Sequence, residues 1–115
     1  MIDLVVIGTF IIDFQSIDFG PDSNVAVGML NEMQKACQLE NSFALDDPVQ
    51  SAGWAFAKLF LAGQFVEKLY GKHGFEVDSS KGKKFEDKFI AWLGMQLKNR
   101  GCSAQVKMAP EMKLI

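Results

Sequence analysis

The chain reads as a single small α+β domain over residues 1–115. A long buried N-terminal strand, three helices, one of them central and apolar, and a C-terminal strand in a small sheet make up the expected architecture. Its length suits one core, and a composition of 49% apolar and 23% charged residues is that of a globular domain, not a disordered chain. Apolar residues alternate near both ends of the sequence and recur at helical spacing between them.

From Ile2 to Phe14 the even positions are apolar throughout, and the odd positions are apolar in the middle and acidic at Asp3 and Asp13. Period 2 with many β-branched residues predicts one long, largely buried strand. A hairpin turning at Gly8-Thr9 would pair Leu4 with Asp13 and mix the faces. No basic residue precedes this apolar run and no small-residue cleavage site follows it, so it is read as structure and not as a signal peptide.

Gly20-Pro21-Asp22 breaks the chain, and Asp22, Ser23 or Asn24 can cap a first helix. Ala26, Leu30, Met33 and Cys37 then recur at helical spacing, and Asn41 is a stop. Asp46 and Asp47 before Pro48 predict a second helix, running to about Tyr70 and ending at Gly71 and Gly74. Its middle, which includes Trp54, Phe56, Leu59, Phe60 and Phe65, is apolar nearly all round, as a helix buried on most sides would be. Lys58 lies inside that run, and a charge at mid-bilayer costs about 2.5–3.5 kcal/mol, so no membrane span is expected.

Phe75 and Val77 suit a short strand or extended connection. Asp78, Ser79 and Ser80 offer caps for a third helix, on which Phe85, Phe89, Leu93 and Leu97 are spaced by four. Gly101 fits the position just past its end. Cys102, Ala104, Val106 and Met108 alternate with Ser103, Gln105 and Lys107 as a half-exposed strand, ended by Pro110.

No catalytic set emerges. The single histidine, His73, follows Lys72 where the second helix should end, and no Cys or Asp stands at metal-site spacing from it. Cys37 and Cys102 lie on apolar stripes and read as buried thiols in a reducing compartment, which with the absence of targeting signals suggests a cytoplasmic protein. Asp13 and Asp18 leave the first strand without a partner that sequence can name. A Walker A loop fails twice: Gly82-Lys83 is followed by Lys84, and Val77 stands where the first Gly belongs. Metal and cofactor are both expected to be none.

Leu4-Val-Val-Ile-Gly-Thr-Phe-Ile-Ile-Asp13 resembles the opening strand of ribokinase-type sugar kinases, and Asn24-Val-Ala-Val-Gly28 resembles a later segment of them. Ser51-Ala-Gly-Trp-Ala-Phe56 is similar to their Gly-Ala-Gly-Asp anion-hole motif. Trp54 stands where that motif has its catalytic Asp, and the pieces lie closer together than in those far longer enzymes, so no activity is carried over.

Charge is segregated. Residues 1–50 hold eight acids and one base, and residues 51–115 hold six acids and eleven bases. Lys81, Lys83, Lys84 and Lys88 gather around the start of the third helix, where cations oppose its dipole and where a bound anion would compensate them. An overall pI near 5.3 argues against a general nucleic-acid protein. The other excess is apolar: ten Phe, two Trp and six Met are hard to bury in a small domain, and surplus apolar surface marks an interface or groove.

These features predict a non-enzymatic domain that self-associates through an apolar helix face, aided by the small residues Gly53, Ala57 and Gly63. It would bind a protein or a small apolar or amphipathic ligand at Trp54, Phe56, Phe60, Phe65, Phe89 and Trp92. The alternatives are an anion or nucleic-acid site at residues 81–88, and a small enzyme with no nameable catalytic residues.

Overall fold

A computed structural model describes residues 8–109. Among these residues three helices pack on one five-stranded antiparallel sheet, an α+β fold. The strands are β1 (Phe10–Ser16), β2 (Phe43–Leu45), β3 (Val49–Ser51), β4 (Trp54–Leu61) and β5 (Gln105–Met108), and the helices are α1 (Phe19–Ala36), α2 (Gly63–Asp78) and α3 (Phe85–Asn99).

β1 behaves as its pattern predicts from Phe10 onward: Phe10, Ile12, Phe14 and Ser16 are buried, and Ile11, Asp13 and Gln15 point the other way. The expected segment from Ile2 to Ile7 lies outside the described residues. β1 is the hub of the sheet, pairing with β4 on one side and β5 on the other, in the order β2-β4-β1-β5. β3 shares the outer edge of β4 with β2. β1-α1-β2 therefore straddles β4, and β4-α2-α3-β5 straddles β1, a split β-α-β arrangement in both halves.

The largest departure from the sequence reading is at residues 48–70. The central apolar helix is instead a hairpin, β3 and β4, followed by α2 from Gly63. Ala55, Ala57, Leu59 and Leu61 are buried on one face of β4, and Trp54, Phe56, Lys58 and Phe60 occupy the other. Both faces are rich in apolar residues, so the period of two is masked and the stretch looks like a helix buried all round. Pro48 starts no helix. Between the Leu45–Leu59 and Val49–Phe56 pairs the edge strand spends one residue more than β4, and Pro48 sits in that bulge. Asp46 completes the ladder there: its amide donates to the Lys58 carbonyl (3.0 Å) and its Oδ1 accepts from the Lys58 amide (2.6 Å).

Gly71 and Gly74 do not end α2, and Phe75 and Val77 form no strand. The helix continues through a kink at His73 (φ −124°, ψ 21°) because Leu69 and Val77 are both fully buried. Ser79 and Ser80 cap the end of α2, not the start of α3: their hydroxyls donate to the Phe75 and Glu76 carbonyls (2.8 and 2.9 Å). α1 begins at Phe19, before the expected caps.

One core joins all of this. Phe10, Ile12 and Phe14 of β1 and Leu59 and Leu61 of β4 meet Met29 and Leu30 of α1, Phe65 and Leu69 of α2, and Phe89, Trp92 and Leu93 of α3. Each such side chain contributes about 1.5–3 kcal/mol on burial. The ring of Phe10 meets Phe89 edge to face at 5.5 Å, and Phe89 lies 5.6 Å from Trp92. All three helices feed this cluster, so they cover the even-numbered face of β1 and leave the odd-numbered face bare among the described residues. No helix among those residues is long and apolar enough to cross a membrane.

Candidate functional site

The structure divides the six aromatic candidates in two. Phe65, Phe89 and Trp92 are buried under the helices, and the Trp92 indole N–H donates to Glu76 Oε1 at 3.2 Å. Trp54, Phe56 and Phe60 stand on the opposite face of the sheet. They line no common pocket, because the sheet lies between them. Of the small residues expected on an apolar helix face, Gly53 is in the β3–β4 turn, Ala57 is under the helices and Gly63 opens α2.

The bare face is built by the sheet register. One row across the strands holds Ala44, Phe60 and Ile11; a second holds Asp46, Lys58, Asp13 and Lys107; a third holds Val49, Phe56, Gln15 and Gln105. Val49 is 68% exposed, Ile11 42% and Phe56 39%, while Trp54 and Phe60 are half-buried. An antiparallel sheet that faces water normally shows polar residues on that side. Here the first row is apolar, the third sets Val49 and Phe56 beside Gln15 and Gln105, and the charges lie in the middle row and at Asp47 next to it. Lys58 and Asp13, direct neighbours on β4 and β1, form an ion pair, and Lys107 lies across from Asp13 on β5. A cleft of about 390 Å³ opens between Asp13, Asp46, Asp47, Val49, Phe56 and Lys58.

The lysines at the start of α3 are exposed, apart from half-buried Lys88. Their turn folds onto the helix end: Gly82 has φ +136°, and a Cβ there would stand 2.6 Å from that of Asp87 and 3.0 Å from the Lys88 amide nitrogen. Glu86 and Asp87 place two carboxylates in the same first turn, so the helix dipole already has anionic partners.

The isolated titratable groups are engaged structurally. His73 stacks on Trp92 at 5.1 Å, with Glu76 4.0 Å from its Nδ1. Cys37 and Cys102 are buried, and burial pushes the Cys102 thiol up. A polar cluster that sequence reading missed joins β1, α1 and the segment leading into β5. Asp22 is buried, its Oδ2 accepts from Ser16 Oγ (2.6 Å) and Ser103 Oγ (2.9 Å), and its Oδ1 accepts from the Ser103 amide (2.9 Å). Burial alone would raise the Asp22 carboxyl, but these hydrogen bonds favour the charged form and hold it below its ordinary value. A capping signal is the only trace of Asp22 in the sequence, since its partners come from the far end of the chain. Among the described residues no three His, Cys, Asp or Glu side chains are placed to hold a metal ion.

No protein-family model, curated protein or solved structure matches the chain.

Proposed function

We propose that the protein is a non-enzymatic interaction domain whose bare sheet face covers the apolar surface of a protein partner. One observation supports this reading above the others: Phe56, Ile11 and Val49 are exposed on the single face that no described helix covers, with Trp54 and Phe60 beside them. Such a face spans four strands, which suits a protein surface better than a small molecule. The two buried thiols support a reducing, cytoplasmic setting.

The test uses 8-anilinonaphthalene-1-sulfonate as a probe of exposed apolar surface, together with sedimentation over a concentration series. Wild type should either enhance the fluorescence of the dye or associate with itself as concentration rises. Phe56→Asp should abolish both without altering the circular dichroism spectrum, since the residue lies outside the core. A wild type that does neither would overturn the reading. The basic turn gives the rival outcome: phosphate binding that falls steeply with salt and is lost in Lys83→Ala/Lys84→Ala would move the function to residues 81–88.

A further inference from the structure

We infer that the occupant of the bare face is a second copy of this chain, paired about a two-fold axis that runs parallel to the strands between β1 and β4. This rests on the reading of the face as an interaction surface and adds the identity of the partner.

Charge order carries the inference. Across the middle row the signs alternate: Asp46 negative, Lys58 positive, Asp13 negative, Lys107 positive. A two-fold axis along the strands reverses the order of this row in the facing copy. Lys58 then lies over Asp13 of the second copy, and Asp46 over Lys107, so every charge meets its opposite. The same operation sets Phe60 over Ile11, apolar on apolar, and in the third row Phe56 over Gln15 and Val49 over Gln105. A two-fold axis running across the strands would instead stack each charge on itself, which costs energy at a desolvated contact. An isologous interface must be self-complementary, and this row has the required antisymmetry.

The geometry also bounds the strength. Four strands about 4.8 Å apart, each taken at the 7 residues of β1 and about 3.3 Å per residue, present roughly 450 Å². Two such faces bury on the order of 900 Å², below the roughly 1,200 Å² at which stable specific interfaces begin and in the range of weak, transient ones. The dimer is therefore expected to be reversible and concentration-dependent. Aligned sheets cross at about 30°, so contacts nearest the axis survive the twist best, and Lys58 and Asp13 are the residues nearest it.

Charge reversal tests the pairing directly. Asp13→Lys leaves Lys58 facing a cation of the second copy, and Lys58→Asp leaves two carboxylates opposed, so each variant alone should sediment as a monomer. Mixed in equal amounts, the two should form a heterodimer, because every facing pair is again of opposite sign. The doubly reversed protein should recover the homodimer. Thermal melts of each variant establish that it is folded, and Asp13→Asn with Lys58→Gln provide milder versions that should weaken dimerisation without repulsion. Single reversals that dimerise like wild type, or a mixture of folded variants that stays monomeric, would overturn the inference. A wild type that remains monomeric at every concentration yet binds the dye at Phe56 would overturn self-pairing and leave the interaction surface standing. Absence of both association and dye binding would remove both.

Discussion

At the scale of single residues, Asp22 does the most to hold distant parts of the chain together. Its carboxylate joins the end of β1 through Ser16 to the approach to β5 through Ser103, from within the first turn of α1. Hydrogen bonds to a charged group contribute about 1.5–3 kcal/mol, and leaving their donors buried and unpaired adds a penalty. Asp22→Ala should therefore cost about 2–4 kcal/mol, seen as a lower urea midpoint at unchanged slope. The effect should also depend on pH in a defined direction. Because the folded carboxyl titrates below its ordinary 3.8, its contribution is complete above that pH. It shrinks as pH falls through 3.8 and is gone once the folded carboxyl is protonated. The stability gap between wild type and Asp22→Asn should accordingly narrow in acid. A gap that stayed constant from neutral pH into strong acid would show that shape, not charge, is what matters at this position.

Elements differ in how far the sequence specifies them, and the difference has a physical cause. The end of α3 is legible because one residue decides it. Gly101 takes φ +85°, its amide bonds to the Lys98 carbonyl, and the Cys102 amide bonds to that of Leu97, the paired bonds of a Schellman motif. β5 is legible because only one of its faces is apolar, and β1 because its even face is apolar without a break while acids end its odd face. β4 is not, because Trp54, Phe56 and Phe60 make its outer face nearly as apolar as its inner one. The excess that marks the candidate site is thus also what hid the strand. The hairpin turn gave no signal either, as Ala52 and Gly53 both take positive φ (53° and 84°) without the usual asparagine. An alanine in this region costs about 1 kcal/mol or more, and asparagine tolerates it better. Ala52→Asn should stabilise the domain by about 0.5–1 kcal/mol, measurable as a raised melting temperature. A lowered one would mean that the turn is not of this type.

For the molecule as a whole, topology decides how it comes apart. β1, near the start of the described chain, lies between β4 and β5, and β5 reaches it only after both later helices have been laid down. Removing β5 exposes Val106 and Met108 and unties Ser103 from Asp22, so the last strand should not open independently of the core. The two thiols report on this. Cys102 is anchored on three sides, by its amide on Leu97, by its Sγ on the Asp22 carbonyl at 3.6 Å, and by burial among core residues. Cys37 caps α1, is followed by the left-handed Gln38 (φ 58°), and borders a shallow groove shared with Lys68 and Lys72 of α2. Both should react slowly with a thiol reagent in the native state, but by different routes. Cys37 needs only fraying of the last helical turn, so its rate should change little with denaturant. Cys102 should label only through global unfolding, with the full denaturant dependence of the equilibrium transition. If the domain has about 5 kcal/mol of stability, that route slows labelling by roughly three to four orders of magnitude relative to the unfolded chain. Separate measurement in Cys37→Ala and Cys102→Ala distinguishes the two rates. A weak denaturant dependence at Cys102 would show that β5 detaches by itself, and the split arrangement would then not act as one cooperative unit.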